Sequence, residues 1–204
     1  LNLLLLRQMI SVLPMILSIG LLVYLQTRLE SRWRTLSLFV LMLSVQGFVR
    51  NSINWLHPDA LTLLAIVLTF FFLARDDLRF GLNFYLAAAA CGMAIAIKLA
   101  GFFFFLAIGG YLLAGILQKR ITWQRAVLHG VLFIVTMMLV AILSNPFLFY
   151  KSARERMFQI QSSHSYIVTH GWSNVPNSKD VYEVGPATWI PILTGWYAPL
   201  YYLA

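Results

Sequence analysis

Residues 50–64 read RNSINWLHPDALTLL, a polar run that separates two apolar segments. The run ends in His57, Pro58 and Asp59, and proline suits the first turn of a helix because it lacks the amide hydrogen that would go unpaired there. Asp59 then places a carboxylate at the positive end of the helix dipole. Since residues 60–73 are almost entirely apolar, the pattern predicts a helix that enters a membrane directly after this polar run.

The composition of the whole chain is typical of a membrane protein with several spans. Of its 204 residues, 60% are hydrophobic and 11% are charged, and the mean hydropathy is +0.79. A soluble domain has about 25% charged residues. The net charge of +8 lies mainly in short loops between apolar runs, where Lys and Arg set membrane topology, so it does not indicate a nucleic-acid partner. The lone Cys91 excludes an intrachain disulfide and a thiolate cluster.

Apolar runs separated by charged loops predict an all-α bundle of six transmembrane helices, because a span needs about 20 apolar residues. The predicted spans are 8–26, 35–49, 58–74, 80–97, 100–117 and 127–144. Residues 80–117 carry a single charge, Lys98, and one helix of that length would exceed a hydrocarbon core of about 30 Å. The run is therefore divided into two spans, with a turn that begins at Lys98.

The chain changes character after the sixth predicted span. Asn145 and Pro146 end that span, since proline cannot continue a helix. Residues 151–161 mix charged and apolar side chains in a pattern typical of a helix on the membrane surface. Residues 162–188 are rich in Ser, Asn, Gly and Pro, which favours a loop. The predicted organisation is a transmembrane region 1–146, an extracytoplasmic loop 147–188 with the interfacial helix, and the start of a seventh span in 189–204.

The distribution of Lys and Arg predicts which ends of the helices face the cytoplasm. The loops 27–34, 75–79 and 118–126 hold most of the basic residues of the short connections, so the positive-inside rule makes them cytoplasmic. The loop 147–188 adds basic residues to the opposite side, which works against this orientation. The polar residues that meet at the predicted extracytoplasmic face are Arg7, Arg50, His57, Asp59, Lys98, His164 and His170.

An ionisable residue in the middle of a span would indicate a transporter that binds its substrate at the midplane, and no predicted span carries one. Chemistry is therefore expected at the outer ends of the helices. Asp59 is either a catalytic carboxylate, a metal ligand or a favourable charge in a first helical turn. His57 either polarises a substrate or is a solvated loop histidine. Lys98 either binds a phosphate as a point charge or extends to lipid headgroups.

The remaining polar residues leave similar alternatives. Arg7 and Arg50 either grip a phosphodiester bidentately or contact lipid headgroups. His164 and His170 are separated by five residues, and a zinc site needs more ligands than two histidines. No metal site and no cofactor are therefore predicted, and a divalent metal has no support in the sequence. Ser163 is not part of a nucleophile elbow, and the chain has no glycine-rich phosphate loop.

The order of these features resembles that of membrane glycosyltransferases of the GT-C fold. The likeness is to the branch with the dolichyl-phosphate-mannose protein mannosyltransferases and the bacterial aminoarabinose transferase of lipid A. It is carried by Arg7 at the start of a span, His57–Ala60 opening another, Gly92–Lys98 ending a third, and Asn145–Phe147 followed by the surface helix and His170-Gly171. One departure from the family pattern is that Leu99, rather than glycine, directly follows Lys98.

This resemblance implies transfer of a sugar, usually with inversion, from a polyprenyl-phosphate donor to a lipid, glycan or protein acceptor outside the cytoplasm. In such enzymes the first outer loop carries the main catalytic aspartate. The chain is interpreted as an internal piece that starts after that loop, and the piece alone is expected to be inactive. Asp59 would match a second outer-face acidic position, with His57 beside it. The residues expected to bind substrate are Arg7, Arg50, Lys98, His164 and His170. The alternative is a non-catalytic polytopic protein, such as a lipid or polysaccharide transporter.

Overall fold

The computed structural model describes residues 2–45, 58–98 and 106–170, and this part of the chain is all-helical, as the sequence predicts. The helices are α1 (Asn2–Arg7), α2 (Leu13–Thr27), α3 (Arg32–Ser44), α4 (Asp59–Asp76), α5 (Leu82–Ile97), α6 (Leu106–Leu117), α7 (Trp123–Ser144) and α8 (Lys151–His170). A π-helical segment, Gln8–Val12, joins α1 to α2, and a 3-10 turn, Pro146–Phe149, precedes α8. The chain divides into two compact units, Leu1–Ser144 and Asn145–Ala204.

The first helix begins earlier than the sequence predicts. It starts at Asn2, so Arg7 lies inside a helical run and not at the start of one. The leucines before Arg7 are good helix formers and continue the helix toward the N-terminus. The π-helical segment lies close to Pro14, whose ring clashes with the carbonyl four residues earlier in a regular helix. A wider turn, in which the Leu13 N–H donates to the Gln8 carbonyl, accommodates the proline.

The helices of the first unit pack in an order that differs from their order along the chain. The packed pairs are α3 with α2, α2 with α4, α4 with α5, α5 with α7, and α7 with α6. Helix α4 contributes Ala60 to a buried cluster built mainly by α2, and it contributes Leu73 to a larger cluster with α5, α6 and α7. The hairpin of α4 and α5 therefore lies at the centre of the unit.

Small residues bring α5 and α7 close together. The face of α5 toward the core carries Ala87, Ala88, Cys91 and Ala94, all fully buried. At Gly92 the two backbones approach so closely that a Cβ atom would overlap the carbonyl oxygen of Met137. Small residues at helix contacts are the usual means of close packing between membrane helices.

In the part of the chain that the structure describes, two helical runs are long and apolar enough to cross a membrane, judged by length and composition: Leu4–Thr27 and Trp123–Ser144. Helices α5 and α6 are apolar but shorter, at 16 and 12 residues. Helix α4 has 18 residues, with Asp59, Arg75 and Asp76 at its ends. The six spans and their orientation therefore stay predictions at this point.

In the second unit, α8 is longer than the surface helix predicted for residues 151–161. It continues to His170, so the predicted loop is wrong over residues 162–170. The serines of this region are compatible with a helix, since the Ser162 hydroxyl donates to the carbonyl of Gln159. The glycine and prolines that break helices come only after His170 in the sequence. Residues 171–204, with the predicted seventh span, lie outside the described residues.

The turn between α4 and α5 is organised by Asp76, which is 2% exposed. Its carboxylate accepts hydrogen bonds from the backbone N–H groups of Phe80 (2.8 Å) and Gly81 (2.9 Å) and from the Tyr111 hydroxyl (3.0 Å). The Tyr111 hydroxyl also accepts from the N–H of Leu78, at 2.6 Å. Positive φ angles at Asp77, Leu78 and Phe80 make the turn compact, so this carboxylate fixes how the two helices reverse direction.

We expect Asp76→Asn to destabilise the protein by about 1.5–3 kcal/mol, since it replaces an ionised acceptor of three hydrogen bonds. The matched control is Asp77→Asn. Asp77 is exposed and has a left-handed backbone conformation, which asparagine tolerates. This control should change stability by less than about 0.5 kcal/mol. Thermal unfolding of the purified protein in detergent measures both, and equal effects would contradict the role given to Asp76.

Candidate functional site

Asp59 and Lys98 form an ion pair, with the Lys98 Nζ 2.7 Å from the Asp59 Oδ1. Asp59 is the first residue of α4 and follows Pro58, as the sequence predicts. Lys98 directly follows α5 and has an extended backbone, with φ −150° and ψ 128°. The predicted convergence of these two residues, which are 39 positions apart, is confirmed.

The meeting of these side chains follows from the dimensions of the hairpin. Asp59 lies 17 residues before Asp76, and Lys98 lies 17 residues after Gly81. At about 1.5 Å per residue, both helices rise about 25 Å from the turn. Because the two arms are equal and antiparallel, their far ends lie at the same level. The turn at Asp76, at the opposite end of the hairpin, therefore sets the register that brings the Asp59 carboxylate to the Lys98 ammonium.

The pair is accessible to solvent and to ligands. The side chains of Lys98 and Asp59 are 44% and 35% exposed. Such pairs contribute about 0–1 kcal/mol to stability, so this one is a minor contributor to the fold. A lysine ammonium has three N–H donors, and the bond to Asp59 uses one of them. The arrangement can therefore hold an anionic oxygen against Lys98 while Asp59 accepts a hydrogen bond from a neutral hydroxyl.

Arg7 lies in a helical run that packs against α4. It directly precedes the π-helical segment Gln8–Val12, which packs against α4. The side chain of Arg7 is half-buried. The approach of Arg7 to the Asp59–Lys98 pair stays a prediction.

The other predicted site residues are placed only in part. Arg50 and His57 lie outside the described residues. His164 and His170 belong to α8 in the second unit, so the predicted loop conformation around them is wrong, and their convergence with Asp59 stays a prediction. Within residues 2–45, 58–98 and 106–170, no three His, Cys, Asp or Glu side chains are grouped so that they could hold a metal ion.

A second polar cluster at the opposite end of the hairpin was not predicted from the sequence. The Tyr85 hydroxyl lies 2.8 Å from the Nδ1 of His129, and the ring of Phe80 lies 5.5 Å from the His129 ring. Together with Asp76 and Tyr111, these residues connect α4, α5, α6 and α7. Isolated polar residues on apolar helices are the only signal in the sequence, and they do not indicate which residues pair.

Comparison of the chain with family models, with curated proteins and with solved structures gave no match. The function is therefore inferred from the geometry of the site and from the resemblance of the motifs.

Proposed function

We propose that the chain is part of a multi-pass membrane glycosyltransferase that uses a polyprenyl-phosphate-linked sugar. The observation that carries this proposal is the half-exposed pair of Lys98 and Asp59 at one end of the central hairpin. It joins one residue from each of two of the four motifs that carry the resemblance to GT-C enzymes, His57–Ala60 and Gly92–Lys98. Asp59 and Lys98 come from motifs far apart in the sequence, and their contact supports a shared role in sugar transfer.

The proposed reaction needs a cation and a carboxylate at a membrane face. The acceptor hydroxyl attacks the anomeric carbon and a new C–O bond forms. The bond between that carbon and the phosphate oxygen breaks, and the polyprenyl phosphate leaves with the electron pair. The Lys98 ammonium stabilises the negative charge that develops on the departing phosphate. Asp59 orients the acceptor hydroxyl, and the proton of that hydroxyl passes either to Asp59 or to the second carboxylate that the resemblance implies.

A membrane location is supported by the apolar surface of the first unit. Along α7 the side chains of Val127, Val131, Val135, Leu139 and Leu143 are all exposed. They form a continuous apolar stripe, and exposed apolar patches of this kind mark lipid or protein contacts. A lipid environment would cover the stripe, and the short apolar helices α5 and α6 would lie beside α7 in the same bilayer.

We expect the Ser31 and Ser152 positions to lie on opposite sides of the membrane. Both are exposed, so Ser31→Cys and Ser152→Cys should react readily, and the native Cys91 is fully buried and gives little background. A membrane-impermeant maleimide applied to intact cells should label Ser152→Cys, while Ser31→Cys should react only after permeabilisation. Labelling of both variants in intact cells would show that the proposed topology is wrong.

The proposed activity is tested with the longer protein to which the resemblance assigns this chain, reconstituted in lipid vesicles. It is offered labelled mannose or aminoarabinose, either on a polyprenyl phosphate or on a nucleotide, together with a membrane extract as acceptor. We expect transfer from a polyprenyl-phosphate donor and none from the nucleotide donors. Transfer from the nucleotide sugar alone, or from neither donor class, would contradict the proposal. A Lys98→Ala variant with full activity would remove the Asp59–Lys98 pair from the site.

A further inference from the structure

A groove runs between α6 and α7, and it is separate from the Asp59–Lys98 pair. Its volume is about 440 Å³, within the range of about 300–1,000 Å³ that is usual for small-molecule sites. Every residue along it is apolar or glycine, and among them Leu113, Trp123, Val127 and Val131 are exposed. Such a surface suits a hydrocarbon chain and offers nothing to a polar ligand.

Two glycines leave space in the groove. An added Cβ at Gly109 on α6 would meet no atom within 4 Å, and at Gly130 on α7 it would contact only Leu112 Cδ1, at 3.2 Å. From Gly109 to Ile116 the groove follows α6 for about 10 Å, at 1.5 Å per residue. The absence of side chains at Gly109 and Gly130 keeps the groove open.

The loop that joins the two walls of the groove is basic. Ile116 and Trp123, which line the groove, flank residues 117–122, so the groove ends at this loop. Lys119 and Arg120 in the loop and Arg125 in the first turn of α7 are all exposed. Backbone bonds from Lys119 N to Ile116 O and from Arg120 N to Gly115 O, both 2.9 Å, fix the loop against α6. Three basic side chains therefore lie near the end of the apolar groove that is formed by this loop.

We propose that this groove binds one acyl chain of an anionic phospholipid, whose phosphate is held by Lys119, Arg120 and Arg125. The charge pattern favours this ligand. Its negative headgroup complements the basic loop, and its acyl chain complements the apolar groove. The inference rests on the membrane location proposed above and not on sugar transfer. The lipid would belong to the leaflet opposite the Asp59–Lys98 pair, so it is distinct from the donor.

The test uses native mass spectrometry of the purified full chain in detergent, titrated with phosphatidylglycerol or with phosphatidylcholine of the same acyl chains. We expect phosphatidylglycerol to bind more tightly, and millimolar inorganic phosphate should not displace it, because the groove supplies much of the affinity. Gly109→Leu fills the groove and should weaken phosphatidylglycerol binding about tenfold, since the loss of two buried methylenes is sufficient. Gly110→Leu is the matched control, because this neighbouring glycine is also open but does not line the groove.

The headgroup contact is tested independently of the groove. Arg120→Gln and Arg125→Gln should each weaken phosphatidylglycerol binding about fivefold and weaken phosphatidylcholine binding less, because the choline cation offsets the charge of the phosphate. Arg75→Gln removes an exposed arginine from the last turn of α4, away from the groove, and should change the binding of neither lipid. The proposal is wrong if Gly109→Leu binds like the parent or like Gly110→Leu, or if both lipids bind equally. It is also wrong if the protein is a dimer and none of these substitutions changes its lipid binding, since a second copy of the chain would then fill the groove.

Discussion

Replacing Gly92 with alanine should destabilise the protein, although alanine is the better helix former. Glycine in a helix interior costs about 1 kcal/mol relative to alanine, so the substitution would be stabilising if there were room for a Cβ. At Gly92 there is none, because the new atom would overlap the Met137 carbonyl oxygen and lie 3.1 Å from the Val140 Cβ. A backbone atom cannot move aside as a flexible side chain can, so α5 and α7 must separate. We expect a net loss of about 1–3 kcal/mol, and a larger loss for Gly92→Leu.

Gly20→Ala provides the matched comparison. Gly20 also lies within an apolar helix, but a Cβ added there would meet nothing within 4 Å. This substitution should be neutral or stabilise the protein by up to about 1 kcal/mol. Thermal unfolding in detergent measures both variants, and the expected result is that Gly92→Ala destabilises the protein and Gly20→Ala does not. A Gly92→Ala variant at least as stable as the parent would contradict the close approach of α5 and α7.

The central hairpin could be predicted from the sequence because its signals are local. Pro58 and Asp59 indicate where one helix begins, the charged residues from Arg75 to Arg79 indicate a turn, and Lys98 interrupts the next apolar run. Equal arm lengths then bring Asp59 and Lys98 together without any knowledge of packing. This is why the prediction that these two residues converge is confirmed.

The features that were missed depend on contacts between residues far apart in the chain. Tyr85 pairs with His129 across 44 positions, and Asp76 with Tyr111 across 35. Nothing in the local sequence indicates these partners, because the choice depends on which helices pack together. The packing of α5 against α7, which skips α6, is likewise absent from the pattern of apolar runs. The wrong prediction at residues 162–170 has a different origin: the serines there favour a loop by composition, but no glycine or proline interrupts the helix.

Lys98→Ala should lower sugar transfer about ten- to a hundredfold while the protein stays folded. A charge-assisted contact to the departing phosphate is worth about 1.5–3 kcal/mol, which converts to this factor. The contact strengthens as charge develops on the phosphate, so kcat should fall as well as donor affinity. The fold should tolerate the change, because a half-exposed ion pair contributes about 0–1 kcal/mol to stability.

Two further variants separate a role in transfer from a general effect of charge. Lys98→Arg should restore activity only in part, since a planar guanidinium does not place its charge at the same point as an ammonium. Lys151→Ala removes another exposed lysine, which lies 3.9 Å from Glu155 on α8 and has no assigned role in transfer. It should leave kcat and the donor KM unchanged. Equal losses in Lys98→Ala and Lys151→Ala would indicate a non-specific effect of basic charge.

The most direct measurement is the rate of labelled-sugar transfer from a polyprenyl-phosphate donor by the longer protein proposed above, compared between the parent and Lys98→Ala at matched amounts of folded enzyme. The proposed function predicts transfer by the parent. For Lys98→Ala it predicts a kcat/KM about ten- to a hundredfold lower, because one charge-assisted contact is worth about 1.5–3 kcal/mol. Both kcat and the donor KM should contribute to this loss. A Lys98→Ala protein with the parental kcat and donor KM would contradict it, because Lys98 would then only mark the end of α5 at the membrane boundary.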